Sequence, residues 1–242
     1  MTALLLIPVA FLTSCLAGAI GMGGGVLLIA LMPGLIPAAA IIPIHALVQL
    51  ASNASRSAFG WRHIDWTLVP AITVGSIVGA IAGGGIYANL ELRWIPAIIG
   101  VLIVVLTWVP LPKPRGSGQW SLLILGFYQS GLGMLAGATG PLGAAVLARR
   151  SIQRDWLVVN TATYMSISHL IKALAFALIG FSFGPWWWLI AAMVVASVLG
   201  SWAGTWLRGY IPQMDFQRWF RVLVTLLALR MIALPFLDGA QA

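Results

Sequence analysis

Charged residues are scarce in this sequence. They make up 7% of its 242 residues, whereas hydrophobic residues make up 61%. A soluble globular protein carries about 25% charged residues and needs them for its surface. The composition therefore excludes a soluble domain. It predicts an all-α, polytopic membrane protein whose function lies within the lipid bilayer.

Acidic residues are rarer still, and none lies in the middle of an apolar run. The five are Asp65, Glu91, Asp155, Asp215 and Asp238, at run ends or in the C-terminal tail. This distribution provides no buried carboxylate for a cation site or a proton relay. The sequence also lacks paired carboxylates, a nucleophile elbow and an HExxH motif. We therefore expect no enzyme activity, no metal site and no cofactor.

Cysteine occurs once, at Cys15, which excludes an intramolecular disulfide and a cysteine-based metal cluster. The net charge of +8 comes from basic residues that are scattered and mostly lie at the ends of apolar runs. That distribution is typical of the charges that set membrane topology, so it does not indicate a nucleic-acid partner.

Long apolar runs are what the sequence has in abundance. They cover roughly 3–33, 38–60, 66–88, 94–111, 120–149, 156–180, 185–207 and 216–236. A membrane-spanning helix needs about 20 residues. The first and fifth runs are too long for one simple span, and both are interrupted by glycine. The linker 111–119 divides the chain into a first repeat, 1–110, and a second repeat, 120–242.

The two halves resemble each other in three places. Residues 17–28 (AGAIGMGGGVLL) align with 136–147 (AGATGPLGAAVL), 75–84 align with 196–205, and the Arg-Trp pair at 93–94 recurs at 218–219. Three matches in the same order predict an internal duplication, which is how many secondary transporters are built. Each half then has four segments, the first of them a glycine-broken helix.

Basic residues favour one of two topologies. If both broken helices are re-entrant hairpins, six helices cross, and one side receives nine basic residues while the other receives only Arg93. If both are discontinuous helices that cross, the split is seven to three. The cytoplasmic side collects Lys and Arg, which favours six crossings and makes the repeats inverted. The nine residues are Arg62, Lys113, Arg115, Arg149, Arg150, Arg154, Arg208, Arg218 and Arg221.

The second run of each half carries a polar stripe. Spacings of three or four residues place such side chains on one helix face. The first stripe is His45, Gln49, Ser52, Asn53 and Arg56, and the second is Asn160, Tyr164, Ser168 and Lys172, with Thr161 and His169 beside it.

Each stripe contains one cation, and Arg56 aligns with Lys172. The helices that follow the two glycine interruptions start near Gly25 and at Pro141, and helix N-termini attract anions. Together these features predict a site for a negative ligand. Three alternatives remain: the cations snorkel to the headgroups, the histidines only bond a neighbouring helix, or the glycines only allow close packing. For the third helices we prefer a packing role, at Gly75, Gly79, Gly83, Gly200 and Gly204.

The stretch GAIGMGGGVLLIALMPGLIPAAAIIPIHALVQLASNASRSAFGWRHIDW, from Gly18 to Trp66, resembles the sulfite exporter TauE/SafE family, and its pattern recurs in the second half. The resemblance implies an inner-membrane carrier for sulfite, organosulfonates and related small anions, often in the outward direction. It also implies a site of Gly21, Gly23, Gly24, Gly25, Asn53, Arg56, Gly137, Thr139, Gly140 and Lys172. The polar stripes add His45, Gln49, Tyr164, Ser168 and His169.

We therefore expect a secondary transporter that exports a small anion by alternating access. A passive anion channel is the alternative. An intramembrane enzyme or assembly subunit is disfavoured, because the sequence lacks an activated nucleophile. Without a buried acid, proton coupling would require His45, His169, Lys172 or the substrate itself. Transport without a coupled ion is also possible, and so is assembly into a homodimer.

Overall fold

The structure is a computed structural model of a helical protein. It describes residues 2–21, 23–109, 118–137, 139, 143, 146–148, 150–151, 153–208 and 214–238, with the backbone alone at 214–219 and 238. The α-helices in these ranges are α1 (Leu6–Ile20), α2 (Gly24–Leu31), α3 (Ala38–Phe59), α4 (Val69–Tyr87), α5 (Ile95–Trp108), α6 (Gln119–Ala136), α7 (Arg154–Leu178), α8 (Trp187–Leu207) and α9 (Met214–Asp238). No β-strand occurs in these ranges, which confirms the all-α prediction.

Several helical segments are long and apolar enough to cross a membrane. In the described ranges there are five, Thr2–Ile20, Ala38–Phe59, Trp66–Tyr87, Gly184–Leu207 and Phe220–Leu237. Large apolar side chains cover their outer faces, for example Ile81, which is 71% exposed, and Trp202, which is 63% exposed. Such faces match the hydrocarbon of a bilayer. The prediction of a multi-pass membrane protein is confirmed.

Glycine allows the chain to turn sharply between α1 and α2. Gly21 and Gly23 have φ angles of 95° and 96°, a left-handed conformation that glycine adopts without steric cost. A Cβ atom at Gly23 would also lie 2.8 Å from the ring of Phe220. These glycines end α1 and let α2 begin immediately afterwards.

A similar glycine follows α6. Gly137 has a φ of 71°, whereas Pro141 and the predicted site residue Gly140 lie outside the described residues. The Arg150 guanidinium donates a hydrogen bond to the carbonyl oxygen of Gly118 at 3.3 Å. Gly118 lies directly before the first residue of α6, and Arg150 lies shortly before α7. Their contact shows that the chain has returned to the N-terminal end of α6 by residue 150.

Helix pairs join the two halves of the chain. The third helix of each half packs on the first helix of the other, α4 on α6 and α8 on α1. A Cβ atom at Gly79 would overlap the backbone carbonyl of Phe127, and one at Gly204 would overlap that of Cys15. The predicted packing role of these glycines is confirmed, because only glycine lets the helices approach so closely.

The second helices, α3 and α7, also pack together, as do the fourth helices, α5 and α9. α3 and α7 are antiparallel, since Ser57 hydrogen-bonds Thr163 near one end and His45 contacts His169 further along. Contacts at the two ends of α5 and α9 show the same antiparallel arrangement. The helices within each of these two pairs therefore run in opposite directions.

Candidate functional site

The two predicted polar stripes meet at the contact between α3 and α7. On α3, His45 and Asn53 are completely buried and Arg56 is 5% exposed. On α7, His169 and Lys172 are each 1% exposed. Snorkelling requires a cation that extends along the protein surface to reach the headgroups. The burial of Arg56 and Lys172 places both cations in the interior instead.

The histidines of the two stripes face each other. The ring centroids of His45 and His169 are 5.7 Å apart, with an interplanar angle of 70°. Nε2 of His45 is 2.9 Å from the carbonyl oxygen of Gly25, at the start of α2. Since that oxygen only accepts, Nε2 carries the proton in this contact and Nδ1 is left facing the interior.

Lys172 lies at the end of α6. Its Nζ donates a hydrogen bond to the carbonyl oxygen of Gly137 at 2.6 Å. A Cβ atom at Gly133, one turn earlier in α6, would lie 3.1 Å from the same Nζ. Thr139 is next to this site and donates to the carbonyl oxygen of Gln129 at 3.2 Å. The structure therefore brings together three predicted site residues, Gly137, Thr139 and Lys172.

Arg56 occupies the corresponding place at the end of α1. Its guanidinium donates to the carbonyl oxygen of Ala17 at 3.0 Å and to that of Ser52 at 3.3 Å. It also donates to Oδ1 of Asn53, whose amide in turn donates to the carbonyl oxygen of Gln49 at 2.7 Å. All three guanidinium nitrogens of Arg56 are thus engaged with neutral acceptors of the protein.

Two further arginines reach the same helix end. Arg208 donates to the carbonyl oxygen of Gly18 at 3.1 Å, and Arg154 donates to that of Ala19 at 3.3 Å. Arg208 also pairs with Asp155 at 3.1 Å. Carbonyls in the last turn of a helix lack intrahelical partners and carry a partial negative charge. Arginine side chains therefore stabilise the end of α1.

The start of α2 is packed closely against other helices. A Cβ atom at Gly24 would overlap the carbonyl oxygen of Thr13, and one at Gly25 would lie 2.9 Å from Oε1 of Gln49. These glycines therefore allow close helix packing, which is one of the alternatives that the sequence left open. The same packing places the positive end of the α2 dipole beside His45 and Gln49.

Several buried polar atoms around the histidines have no hydrogen-bond partner among the described residues. They are Nδ1 of His45, Nε2 of Gln49, both ring nitrogens of His169 and Oε1 of Gln129. A buried polar atom without a partner costs about 1–3 kcal/mol. Among them, Nε2 of Gln49 and one ring nitrogen of a neutral His169 donate a hydrogen bond, which is the property that an anionic ligand requires.

Carboxylates are absent from this interior in the part of the chain that the structure describes. Glu91 and Asp155 are exposed and Asp65 is half-buried, while the side chains of Asp215 and Asp238 are not among those described. No group of three metal-ligating side chains occurs in the described ranges.

Two predicted site residues are less available to a ligand beside the histidines. Tyr164 lies at a distance from them, and Ser168 is already hydrogen-bonded. Tyr164 packs against Leu68 in a separate apolar cluster, and eight residues along α7, about 12 Å, separate it from Lys172. Ser168 hydrogen-bonds Ser130 of α6 at 2.8 Å.

Four polar residues at the site were not predicted from the sequence. Gln129 and Ser130 are neighbouring polar residues within the apolar fifth run, a signal that could have identified them. Arg154 and Arg208 have no such signal, because the pattern that contains them is that of topology-setting charges.

Comparison with known families identifies the chain. Residues 6–231 match the family model described as sulfite exporter TauE/SafE. Comparisons with curated proteins and with solved structures give no match. The matched family consists of membrane permeases, and the match covers nearly the whole chain. The resemblance noted in the sequence is confirmed, and the protein belongs to the TauE/SafE sulfite exporter family.

Proposed function

We propose that this protein is a secondary carrier that moves sulfite or an organosulfonate outward across the inner membrane by alternating access. The observation that carries the proposal is a pair of buried cations, Arg56 and Lys172, one in each half of the chain. Neither forms an ion pair with a described carboxylate. A buried charge without a counter-charge is costly in a medium of low dielectric. A small anion would neutralise it.

Lys172 is the cation best prepared to bind this anion. Its ammonium group has three donors, and one of them is used, toward Gly137. His45, Gln49 and His169 place their unpartnered nitrogens in the same interior. Arg56, whose donors are engaged, adds positive charge to the site.

In our proposal the remaining predicted site residues support the site by placing the helix ends and the polar stripes around it. They are Gly21, Gly23, Gly24, Gly25, Asn53, Gly137, Thr139, Gly140, Tyr164 and Ser168.

Inverted repeats account for the packing of the helices. Exchange of the two halves converts the pair of α4 and α6 into the pair of α8 and α1, and it converts the pairs α3–α7 and α5–α9 into themselves. The members of each of these last two pairs are antiparallel. The return of the chain from Gly118 to Arg150 agrees with a re-entrant first segment in the second half. Both features support six crossings and the nine-to-one distribution of basic residues.

The closed interior favours a carrier over a channel. His45, Gln49, Asn53, His169 and Lys172 are at most 2% exposed. A channel needs a continuous polar path, whereas a carrier passes through a state in which its site is closed to both sides. An inside-negative membrane potential drives anions outward by about 2.3 kcal/mol per charge per 100 mV.

Ligand-dependent thermal unfolding of the purified protein tests the anion site. Sulfite, sulfoacetate, taurine and sulfate would be compared, together with methanesulfonate and its neutral amide, methanesulfonamide. Binding stabilises a protein by RT ln(1 + [L]/Kd), about 2.7 kcal/mol at a hundredfold excess over Kd. We expect stabilisation by at least one sulfur oxyanion and none by the amide. Equal stabilisation by methanesulfonate and its amide would refute an anion site.

Counterflow in proteoliposomes separates the carrier from the channel. Vesicles preloaded with unlabelled anion should transiently accumulate labelled anion, with a rate that saturates. Labelled anion that only equilibrates, accompanied by voltage-driven current, would identify a channel. The Lys172→Ala variant controls for leakage, because it should lose counterflow while the vesicles remain intact.

A further inference from the structure

The facing histidines are a chemical group that anion binding alone does not require. His45 comes from the first half of the chain and His169 from the second, and both are buried. One of their four ring nitrogens has a partner, the Gly25 carbonyl, and the other three have none in the described part of the chain. Two imidazoles in contact, with spare nitrogens in a closed interior, can exchange protons with a ligand that binds beside them.

Resting on the proposed function, we propose that His45 and His169 take up a proton when the anion binds, so that the anion and the proton cross the membrane together. The anion would replace the Gly137 carbonyl as the acceptor of Lys172. That position is close to His45, because a Cβ atom at Gly137 would lie 3.5 Å from Nδ1 of His45. An anion there can accept hydrogen bonds from the ammonium and from an imidazole at the same time.

Charge explains why proton uptake should follow anion binding. The charged groups that lie near the histidines are Lys172 from α7 and Arg56 from α3. The described side chains of α2 and α6 add none, since α2 has no titratable residue and Tyr128 of α6 is exposed. Two cations disfavour a third positive charge in the empty site. A bound anion removes this repulsion, and a protonated imidazole donates from both nitrogens.

The proton and charge balance is simple. One proton moves from water to an imidazole nitrogen as one anion enters, and both leave together on the other side. A monoanion then crosses without net charge, whereas a dianion crosses as a net monoanion that the membrane potential still drives outward.

Titration calorimetry of the complete protein with methanesulfonate tests this inference. Methanesulfonate remains a monoanion over the neutral range, so any proton that is taken up comes from the protein. Titrations in bis-Tris and in Tris, which are not anions and differ in ionisation enthalpy, give the number of protons bound per anion. We expect uptake of a sizeable fraction of one proton by the wild type and none by the double variant His45→Gln/His169→Gln.

His63 provides a matched control. It is the one other histidine of the chain and is exposed on the segment after α3. His63→Gln should leave proton uptake unchanged. Undiminished uptake in the double variant would assign the proton to Lys172 and overturn the inference. Anion binding without proton uptake in the wild type would also overturn it, while the proposed function would stand. A failure of the wild type to bind any sulfur oxyanion would refute both.

A spectroscopic measurement avoids dependence on the double variant. Nitrogen-15 chemical shifts of histidine distinguish neutral from protonated imidazole, and His63→Gln leaves two histidines to observe. Addition of methanesulfonate should convert at least one of them to imidazolium. Unchanged neutral shifts at saturating methanesulfonate would contradict the inference.

Discussion

The ends of α1 and α6 are capped by basic residues in different ways. At the end of α1, Arg56, Arg154 and Arg208 bond three consecutive carbonyls, and Arg208 has Asp155 as a counter-charge. At the end of α6, Lys172 makes one bond to Gly137. The arginines are committed to the protein, whereas the ammonium retains spare donors. In the proposed function, the end of α1 is a structural support and the end of α6 is where the anion binds.

The first prediction concerns the side of the membrane on which the N-terminal end of α6 lies. The measured outcome is whether a cysteine is labelled or not. In a Cys15→Ala background, cysteines at Gly118 and Ser151 should both react with an impermeant reagent from the cytoplasmic face. A cysteine at Ser182 should react from the opposite face alone. The contact between Gly118 and Arg150 is the reason. Reaction of the first two cysteines from opposite faces would contradict six crossings and support the alternative topology of eight crossings.

The second prediction removes the backbone turn after α6. Gly137→Val should abolish anion binding and yield little folded protein. A β-branched residue disfavours the φ of 71°, and its Cβ would overlap the side chain of Ile29. Gly85→Val is the control, since no atom lies within 4 Å of a Cβ at that position. Fluorescence-detected size-exclusion chromatography would compare their folded yields. Normal yield and binding in Gly137→Val would show that this turn is not needed.

Helix-face periodicity made much of this architecture predictable. Spacings of three and four residues placed His45, Gln49 and Asn53 on one face, and the structure buries all three. Alignment of Arg56 with Lys172 left two possibilities, interior cations or cations that snorkel to the headgroups, and the structure buries both side chains. Local spacing was sufficient here because a polar stripe on an apolar helix can be sheltered only against other helices.

Contacts between distant segments could not be predicted in the same way. Arg154 and Arg208 bond carbonyls that are 135 and 190 positions away in the chain, and no local pattern specifies such pairs. Tyr164 shares a stripe with Lys172, yet it packs against Leu68 in a separate apolar cluster. A stripe predicts which side chains are buried, but packing of the helices decides which of them meet.

The third prediction tests the structural role of Arg56. Arg56→Met should lower the free energy of unfolding by about 3 kcal/mol. Three hydrogen bonds from a charged donor are lost at about 1.5–3 kcal/mol each, and removal of the desolvation cost of the buried charge offsets part of that loss. The net loss corresponds to a decrease in Tm of roughly 6–12 °C. Affinity for the anion should fall less than in Lys172→Ala. The control is Arg62→Met, at an exposed position. An unchanged Tm with a large loss of affinity would reverse the roles of the two cations.

The fourth prediction concerns Lys172 itself. Lys172→Ala should lose a charge-assisted hydrogen bond worth about 1.5–3 kcal/mol, a decrease in affinity of roughly tenfold to hundredfold. Lys172→Arg should not restore affinity, since a planar fork replaces a compact ammonium. Arg230→Ala is the control, because Arg230 bonds the Pro33 carbonyl outside the polar stripes, at 3.4 Å. Its affinity should stay within about threefold. Normal affinity in Lys172→Ala with a loss in Arg230→Ala would place the site on another helix.

The smallest effect is expected one turn before Lys172, at Ser168. Its hydroxyl bonds Ser130 at 2.8 Å and so joins α7 to α6. Ser168→Ala should lower the free energy of unfolding by about 1 kcal/mol. Ser166→Ala is the control, since that hydroxyl bonds a carbonyl of its own helix. Affinity should change less than threefold in both variants if the anion lies at Lys172 and the histidines. A tenfold loss of anion affinity in Ser168→Ala alone would indicate that the anion binds nearer to Tyr164 on α7.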